Sequence, residues 1–243
     1  QDVLSAGGTA VDAAVAAFLT MTVTYPVAAG IGGGGVCVIY DAESNKAETL
    51  EFLAGKPADG GAYAVPGTIR GLAAMHARYG RLPWSQLVSP AEQMARFGHP
   101  ISRALAKRLE AARGVLFDEP MLRRLFFRSG RALKEEGDKL VQIELATTLS
   151  QIRARGAGDL YGGQAGRSFV EAARAEGAQI TIQDLRRYRP VWRQTRELEF
   201  GNEIAHLALP PPLGGRVLGQ LLAALEAADD APRRIETLLD AGA

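Results

Sequence analysis

The sequence contains a single cysteine, Cys37, which excludes an internal disulfide and leaves the redox compartment open. Its three histidines, His76, His99 and His206, show no metal-ligand spacing with one another or with Cys, Asp or Glu. No Gly-x-Ser-x-Gly stretch occurs, so the serine nucleophile elbow is excluded. No apolar run approaches the ~18–20 residues of a membrane-spanning helix. A formal charge of +1 leaves no global field to draw in nucleic acid or anionic membrane. The chain opens at Gln1 with no Met, basic segment or apolar leader, the pattern of a processed or trimmed N-terminus. Internal repeats and low-complexity linkers are also missing.

What remains is an ordinary globular composition, 47% hydrophobic and 23% charged over 243 residues, enough for one large core or two small ones. Thr9 and Asp12 have capping-box spacing, and Val11, Val15, Phe18 and Leu19 share one face, predicting a helix over 9–23 that stops at Tyr25-Pro26. Strands 36–40 and 47–52 flank the five-residue turn 41-DAESN-45, predicting a hairpin. Helices are predicted over 68–79 and 84–98, with Gly80 and Gly98 as C-caps, and over 101–113, 121–127, 141–155 and 165–176. A short strand or turn and then a helical turn are expected over 180–188. Strands 191–200 and 203–209 join at Gly201-Asn202. Pro210, Pro211 and Pro212 must be extended, and helices follow over 214–227 and 233–240.

Five of the six residues 30–35 are glycine apart from Ile31, directly before strand 36-VCVIY-40. Gly30, Gly32 and Gly35 match a dinucleotide fingerprint letter by letter, but that fingerprint needs a strand before and a helix after. The order here is reversed, and the Lys-Ser/Thr of a P-loop is missing. A tight helix-to-strand corner with close backbone approach remains, with or without an active site beside it. Cys37, inside an apolar strand, reads as a core residue with its thiolate disfavoured. Basic residues Arg123, Arg124, Arg128 and Arg131, and again Arg186, Arg187, Arg189, Arg193 and Arg196, alternate with Phe126, Phe127, Tyr188 and Trp192. They fit an RNA-binding strip or, given nearby acids and the near-zero net charge, a solvated or subunit-facing surface. No complete catalytic constellation lies in the chain, so it is a binding module or its reacting groups lie on another polypeptide.

The order of several segments settles which family it resembles. 7-GGTAVDAAVAAFLTMTVTYP-26, 30-GIGGGGVCVIY-40, 65-VPGTIRGLAAMHARYGRLPWSQLVSPAEQMARFG-98, 137-GDKLVQIELATTLSQI-152, 180-ITIQDLRRY-188 and 209-LPPPLGG-215 together resemble the large subunit of the gamma-glutamyltransferase (gamma-glutamyltranspeptidase) family. The resemblance implies an α+β fold, the four-layer αββα sandwich of N-terminal-nucleophile hydrolases, with 1–243 a single domain. It implies a zymogen that cleaves itself, a heterodimer with a small subunit from the same precursor, and a Thr nucleophile on that subunit acting through an acyl-enzyme. No catalytic residue then belongs to this chain, and no metal or organic cofactor is expected. Substrates would be glutathione-like gamma-glutamyl amides, and the location periplasmic or secreted, with the cytoplasm as the alternative.

At one point the chain departs from the family pattern. Where the family carries an arginine that grips the glutamyl α-carboxylate, in a stretch like F-R-E-x-A-P, this sequence reads 50-LEFLAGKPA-58. Leu53 takes the arginine's place and Lys56-Pro57 replaces Ala-Pro; the family's serine pair after the prolines is reduced to Leu213. A charged carboxylate contact is worth on the order of 1.5–3 kcal/mol, about 10–100-fold. Leu53 and Lys56 are the candidate substrate-binding residues, with Lys56 or Arg70 as substitute cations. Two alternatives stay open: an acylase of the same fold for a neutral or dicarboxylic acyl group, and an inactive homologue kept as a binding protein.

Overall fold

The computed structural model describes residues 1–58, 63–129, 131–209 and 213–227. In chain order, helices α1 (Asp2–Ser5) and α2 (Ala10–Thr24) precede strands β1 (Val36–Asp41) and β2 (Lys46–Glu51). A helical stretch follows: α3 (Thr68–Tyr79), α4 (Trp84–Phe97), α5 (Arg103–Ala111), α6 (Arg113–Asp118), α7 (Pro120–Phe126), α8 (Ile143–Arg155), α9 (Gly158–Gly162), α10 (Gln164–Ala175) and α11 (Ile182–Arg187). Two-residue strands β3 (His99–Pro100), β4 (Phe127–Arg128), β5 (Ala132–Leu133) and β6 (Lys139–Leu140) punctuate it. Then come β7 (Val191–Gln194), β8 (Arg196–Phe200), β9 (Glu203–Leu207) and α12 (Leu213–Glu226). The expected extended Pro210–Pro212 and the helix over 233–240 fall outside the described residues.

The chain divides into two compact units, one of 1–34 with 54–189 and the other of 35–53 with residues from 190 onward. The first is helical. Its α2 starts where expected because both halves of the capping box form: Asp12 N donates to Thr9 Oγ1 (3.1 Å) and Thr9 N to Asp12 Oδ2 (2.9 Å). Val15, Leu19 and Val23 of α2 are fully buried, as are Leu87, Val88, Ala91 and Ala95 of α4, which packs against both α2 and α8. Glu92 lies in the same stripe and is neutralised there by Arg153 (2.5 Å) and Arg96 (3.2 Å). A second core joins Ile101, Leu105, Leu109, Leu116, Phe126, Phe127, Leu133 and Leu140.

Several boundaries differ from those expected. The 101–113 helix breaks at Ala112 into α5 and α6. The short α9 and the two-residue ladders carry too little periodicity to be read from residues. Gly98 does cap α4 at φ +82, but Gly80 follows α3 at φ −81. Gly80 serves close approach instead: a Cβ there would lie 2.4 Å from His76 Cδ2 and 2.7 Å from Asp12 Oδ1. The hairpin loop is shorter than read, because Asp41 pairs with Lys46 and its carboxylate closes the turn on Glu43 N and Ser44 Oγ.

The second unit is built on an antiparallel sheet of order β1–β2–β7 and a separate β8–β9 hairpin. The single strand expected over 191–200 breaks at Thr195, since its first half joins β2 and its second half joins β9. Thr195 Oγ1 donates to Ala47 O (3.4 Å) at the exchange. Gly201, at φ +61, makes the β8–β9 turn.

Candidate functional site

The register of the β1–β2–β7 sheet assigns every residue to a face. Val38 sits opposite Thr49, Tyr40 opposite Ala47, Val36 opposite Glu51, Val191 opposite Glu51 and Arg193 opposite Thr49. These residues share one face, and Cys37, Ile39, Leu50 and Trp192 share the other. Gly35 and Phe52 exchange two backbone hydrogen bonds (3.2 and 2.8 Å), which carries the ladder one pair further. Phe52 thus joins Leu50, and Leu53 follows Glu51 on the opposite face.

The Leu50 face is the core face. Ile39, Leu50 and Phe52 are 8%, 0% and 3% exposed, and Gly35 admits the Phe52 ring so closely that a Cβ would meet it at 3.0 Å. On the Glu51 face, Val38 is 40% exposed, Tyr40 54%, Leu53 41% and Val191 43%. Among the described residues this sheet is therefore apolar on both faces and well covered on one. A sheet stabilised on both faces needs a second layer.

Set in that apolar face is one ion pair. Arg193 Nε donates to Glu51 Oε2 at 2.9 Å. Opposite Arg193, the side chain of Thr49 is buried, and its hydroxyl has no hydrogen-bond partner among the described residues. Glu51 and Leu53 are successive on the face, about 7 Å apart along the strand.

The residues singled out in the sequence scatter differently from one another. Leu53 reaches the exposed sheet face. Lys56, in the helical unit, lines a cleft of about 190 Å³ with Ala58, Val65, Asp184, Arg187 and Tyr188. Asp184 is saturated there by Thr181 N (2.9 Å), Thr181 Oγ1 (2.5 Å) and Ala58 N (2.9 Å), and these donors, the Thr181 hydroxyl foremost, hold its carboxyl below the usual range. Arg70 is no surface cation. Its Nη1 donates to the carbonyls of Leu185 (3.3 Å), Arg186 (3.4 Å) and Tyr188, and its guanidinium lies 4.0 Å from the Tyr161 ring centroid. Tyr161 Oη accepts from Arg70 N (3.0 Å) and donates to Pro66 O (2.9 Å), and burial pushes its hydroxyl far above the usual phenol range.

Gly33 O accepts from Gly67 N (2.8 Å) and Thr68 N (3.2 Å), while Thr68 Oγ1 donates to Gly30 O (3.0 Å). The glycine corner is thus held by the first turn of α3. A Cβ on Gly30 or Gly32 would meet nothing within 4 Å. Cys37 is only half-buried, and burial still pushes its thiol up. Three of the aromatic residues interleaved with the basic strip are taken up by the fold: Phe126 and Phe127 are core, and Tyr188 stacks on Tyr161 with centroids 6.2 Å apart. His99 contacts Val23 O (3.2 Å) and Pro100 O (3.0 Å), His76 contacts Leu82 O (2.7 Å), and His206 stacks on Tyr40. No group of His, Cys, Asp and Glu among the described residues could hold a metal ion, and no described helix is long and apolar enough to cross a membrane. The Glu51–Arg193 pair escaped the sequence reading, because its members lie 142 residues apart and only the β2–β7 register unites them.

Comparison with known proteins matches residues 1–241 to the gamma-glutamyltranspeptidase family. The glutathione hydrolase 5 proenzyme of Rattus norvegicus is 34% identical over 243 residues, covering 92% of this chain and 42% of its own length. The chain thus spans about two-fifths of the length of the curated relatives it matches. The crystal structure of Helicobacter pylori gamma-glutamyltranspeptidase superposes with a TM-score of 0.92 at 32% identity, covering 99% of this chain and 76% of that one. A cephalosporin acylase from Bacillus halodurans shares the fold, with a TM-score of 0.84 at 24% identity over 99% of this chain and 49% of its own. The fold is that of the N-terminal-nucleophile hydrolases, as the resemblance implied.

Proposed function

The chain belongs to the gamma-glutamyltranspeptidase family, and on that basis we propose that it is the large-subunit part of an amidohydrolase and acyltransferase of gamma-glutamyl amides. Residues 1–243 act together as one domain of a heterodimer, its partner the small subunit of the same precursor. The reaction is attack by an N-terminal Thr of that subunit on the amide, an acyl-enzyme, and release to water or an amine. This chain supplies the wall of the acyl site, with Leu53 and Lys56 assigned to substrate contact. By family analogy the enzyme works outside the cytoplasm.

The observation that carries this reading is the second sheet face, on which Val38, Tyr40, Leu53 and Val191 remain exposed. Aligned sheet packing needs such a face on each partner, and the relatives contain more than twice this length of chain to provide one. A mass measurement of every polypeptide in the purified full-length protein tests it. Two fragments, the smaller opening with Thr, are expected; a single uncleaved polypeptide would overturn the reading. An acylase for another acyl group is the second reading, favoured by Leu53 where the family has arginine. Comparing gamma-glutamyl anilide with glutaryl anilide as substrates separates the two.

A further inference from the structure

From the exposed sheet face we infer that the Glu51–Arg193 pair is the recognition element for the acyl donor's head group, which is a zwitterion carrying one ammonium and one carboxylate. This rests on the reading of the chain as the wall of an acyl site, and it names residues that reading does not assign.

An ion pair set in an apolar sheet face is costly once another layer covers the face, unless its remaining donors and acceptors find partners. Among the described residues most of these are unfilled. Arg193 has five N–H donors, and among the described residues only Nε is engaged, by Glu51 at 2.9 Å. Its side chain is 40% exposed, while Glu51 is held at 14%. The buried hydroxyl of Thr49, opposite Arg193 in the ladder, has no partner among the described residues. All three lie on the face that ends in Leu53, with Glu51 next to it.

Charge selects the ligand. Glu51 already offsets Arg193, so an isolated carboxylate would meet a neutral pair and repel Glu51. A head group with both signs aligns with both members: its carboxylate takes the free edge of the guanidinium as a two-point acceptor, and its ammonium takes the open lone pairs of Glu51. Leu53 contributes an apolar wall that contacts the methylenes. The pair also explains how a chain lacking an arginine at position 53 can still bind an amino-acid acyl group.

The test uses the full-length protein with L-gamma-glutamyl, glutaryl and butyryl p-nitroanilides. Arg193→Gln should lower the kcat/KM ratio of gamma-glutamyl over butyryl anilide by about 10–100-fold. Arg193→Lys, which keeps the charge facing Glu51, should lose the two-point contact and give an intermediate ratio. Glu51→Gln should lower the ratio of gamma-glutamyl over glutaryl anilide, because only the former carries an ammonium. Equal losses on all three substrates, or no change in either ratio, would overturn the assignment, as would loss of gamma-glutamyl preference on Lys56→Gln alone. Calorimetric titration with L-glutamate separates this from failure of the enzyme reading. Should the wild type cleave no anilide, glutamate binding that is abolished in Arg193→Gln still supports the pair, and no glutamate binding to the wild type refutes it.

Discussion

Replacing Asp12 tests how this fold is held at its start. The carboxylate is fully buried, and its Oδ2 accepts from Thr9 N (2.9 Å), Arg81 N (2.9 Å) and Leu82 N (3.2 Å). It ties the first turn of α2 to the loop between α3 and α4. Burial by itself raises the carboxyl, but the backbone donors from Thr9, Arg81 and Leu82 outweigh it and hold the group below the usual aspartate range. In Asp12→Ala three amides lose their acceptor, at about 1 kcal/mol each or more. Thr9 and Leu82 are half-buried and Arg81 exposed, so water recovers part of the loss, and the net cost is about 3 kcal/mol. For a chain of this size that is a fall in Tm of about 6–12 °C. Asp12→Asn keeps an acceptor without the charge and should cost about half as much. The pH dependence carries the sign. A group with a depressed folded pKa stabilises fully above its unfolded value near 3.9, and that contribution drains as pH falls through the folded value. The gap between wild type and Asp12→Asn should therefore be constant from pH 7 to about 5 and close below about pH 4. Denaturant melts of the full-length protein at pH 7, 5, 4 and 3 check this. A gap that stays constant to pH 3 would refute the argument that a buried charge, rather than shape alone, holds the junction.

Tyr161→Phe removes the hydroxyl that joins Arg70 N to Pro66 O; a loss of about 1–2 kcal/mol is expected in urea melts, and a neutral result would mean that the Arg70 stack alone fixes α3. Gly35→Ala forces the Phe52 ring back by a few tenths of an ångström and should cost about 1 kcal/mol, whereas Gly32→Ala, with open space and an ordinary φ, should leave the melting curve of this chain unchanged. Leu53→Arg places a second guanidinium beside Glu51. In an Arg193→Gln background it should restore gamma-glutamyl anilide turnover by about tenfold or more, and in the wild type by less than threefold; equal gains in both backgrounds would argue that Arg193 is not in use.

How much of this was legible beforehand follows from the range of each interaction. The α2 helix was readable to within a residue because its signals, Thr9-x-x-Asp12, the apolar stripe and Tyr25-Pro26, all lie within one segment. The same capping-box spacing recurs at Thr181-x-x-Asp184 and forms in the fold, a start marked by equally local signals. Arg70 shows the opposite case. Nothing within ten residues marks it as engaged in the fold, since its partners are Tyr161 and the carbonyls of 185, 186 and 188, more than ninety residues away. The glycine run was half readable. A corner with close backbone approach fits Gly33 and Gly35, but no neighbour among the described residues requires Gly30 or Gly32 to be glycine.

The candidate site divides along the same line. The strand period of two around Phe52 separates the two sheet faces, which is why Leu53 falls opposite Phe52 from residues alone. Which strand lies beside β2 was beyond reach, because β7 arrives after the whole helical stretch and its continuation in sequence belongs to another ladder. Lys56 and Arg70 are the cations that follow Leu53 most closely in sequence. A sheet brings neighbours together by register, and Thr49 opposite Arg193 sets the guanidinium beside Glu51, one step from Leu53. A recognition charge can therefore be supplied from the adjacent strand without changing the fold: Arg193 stands opposite Thr49, about 14 Å along the strand from Leu53, and its side chain closes half of that distance by reaching Glu51.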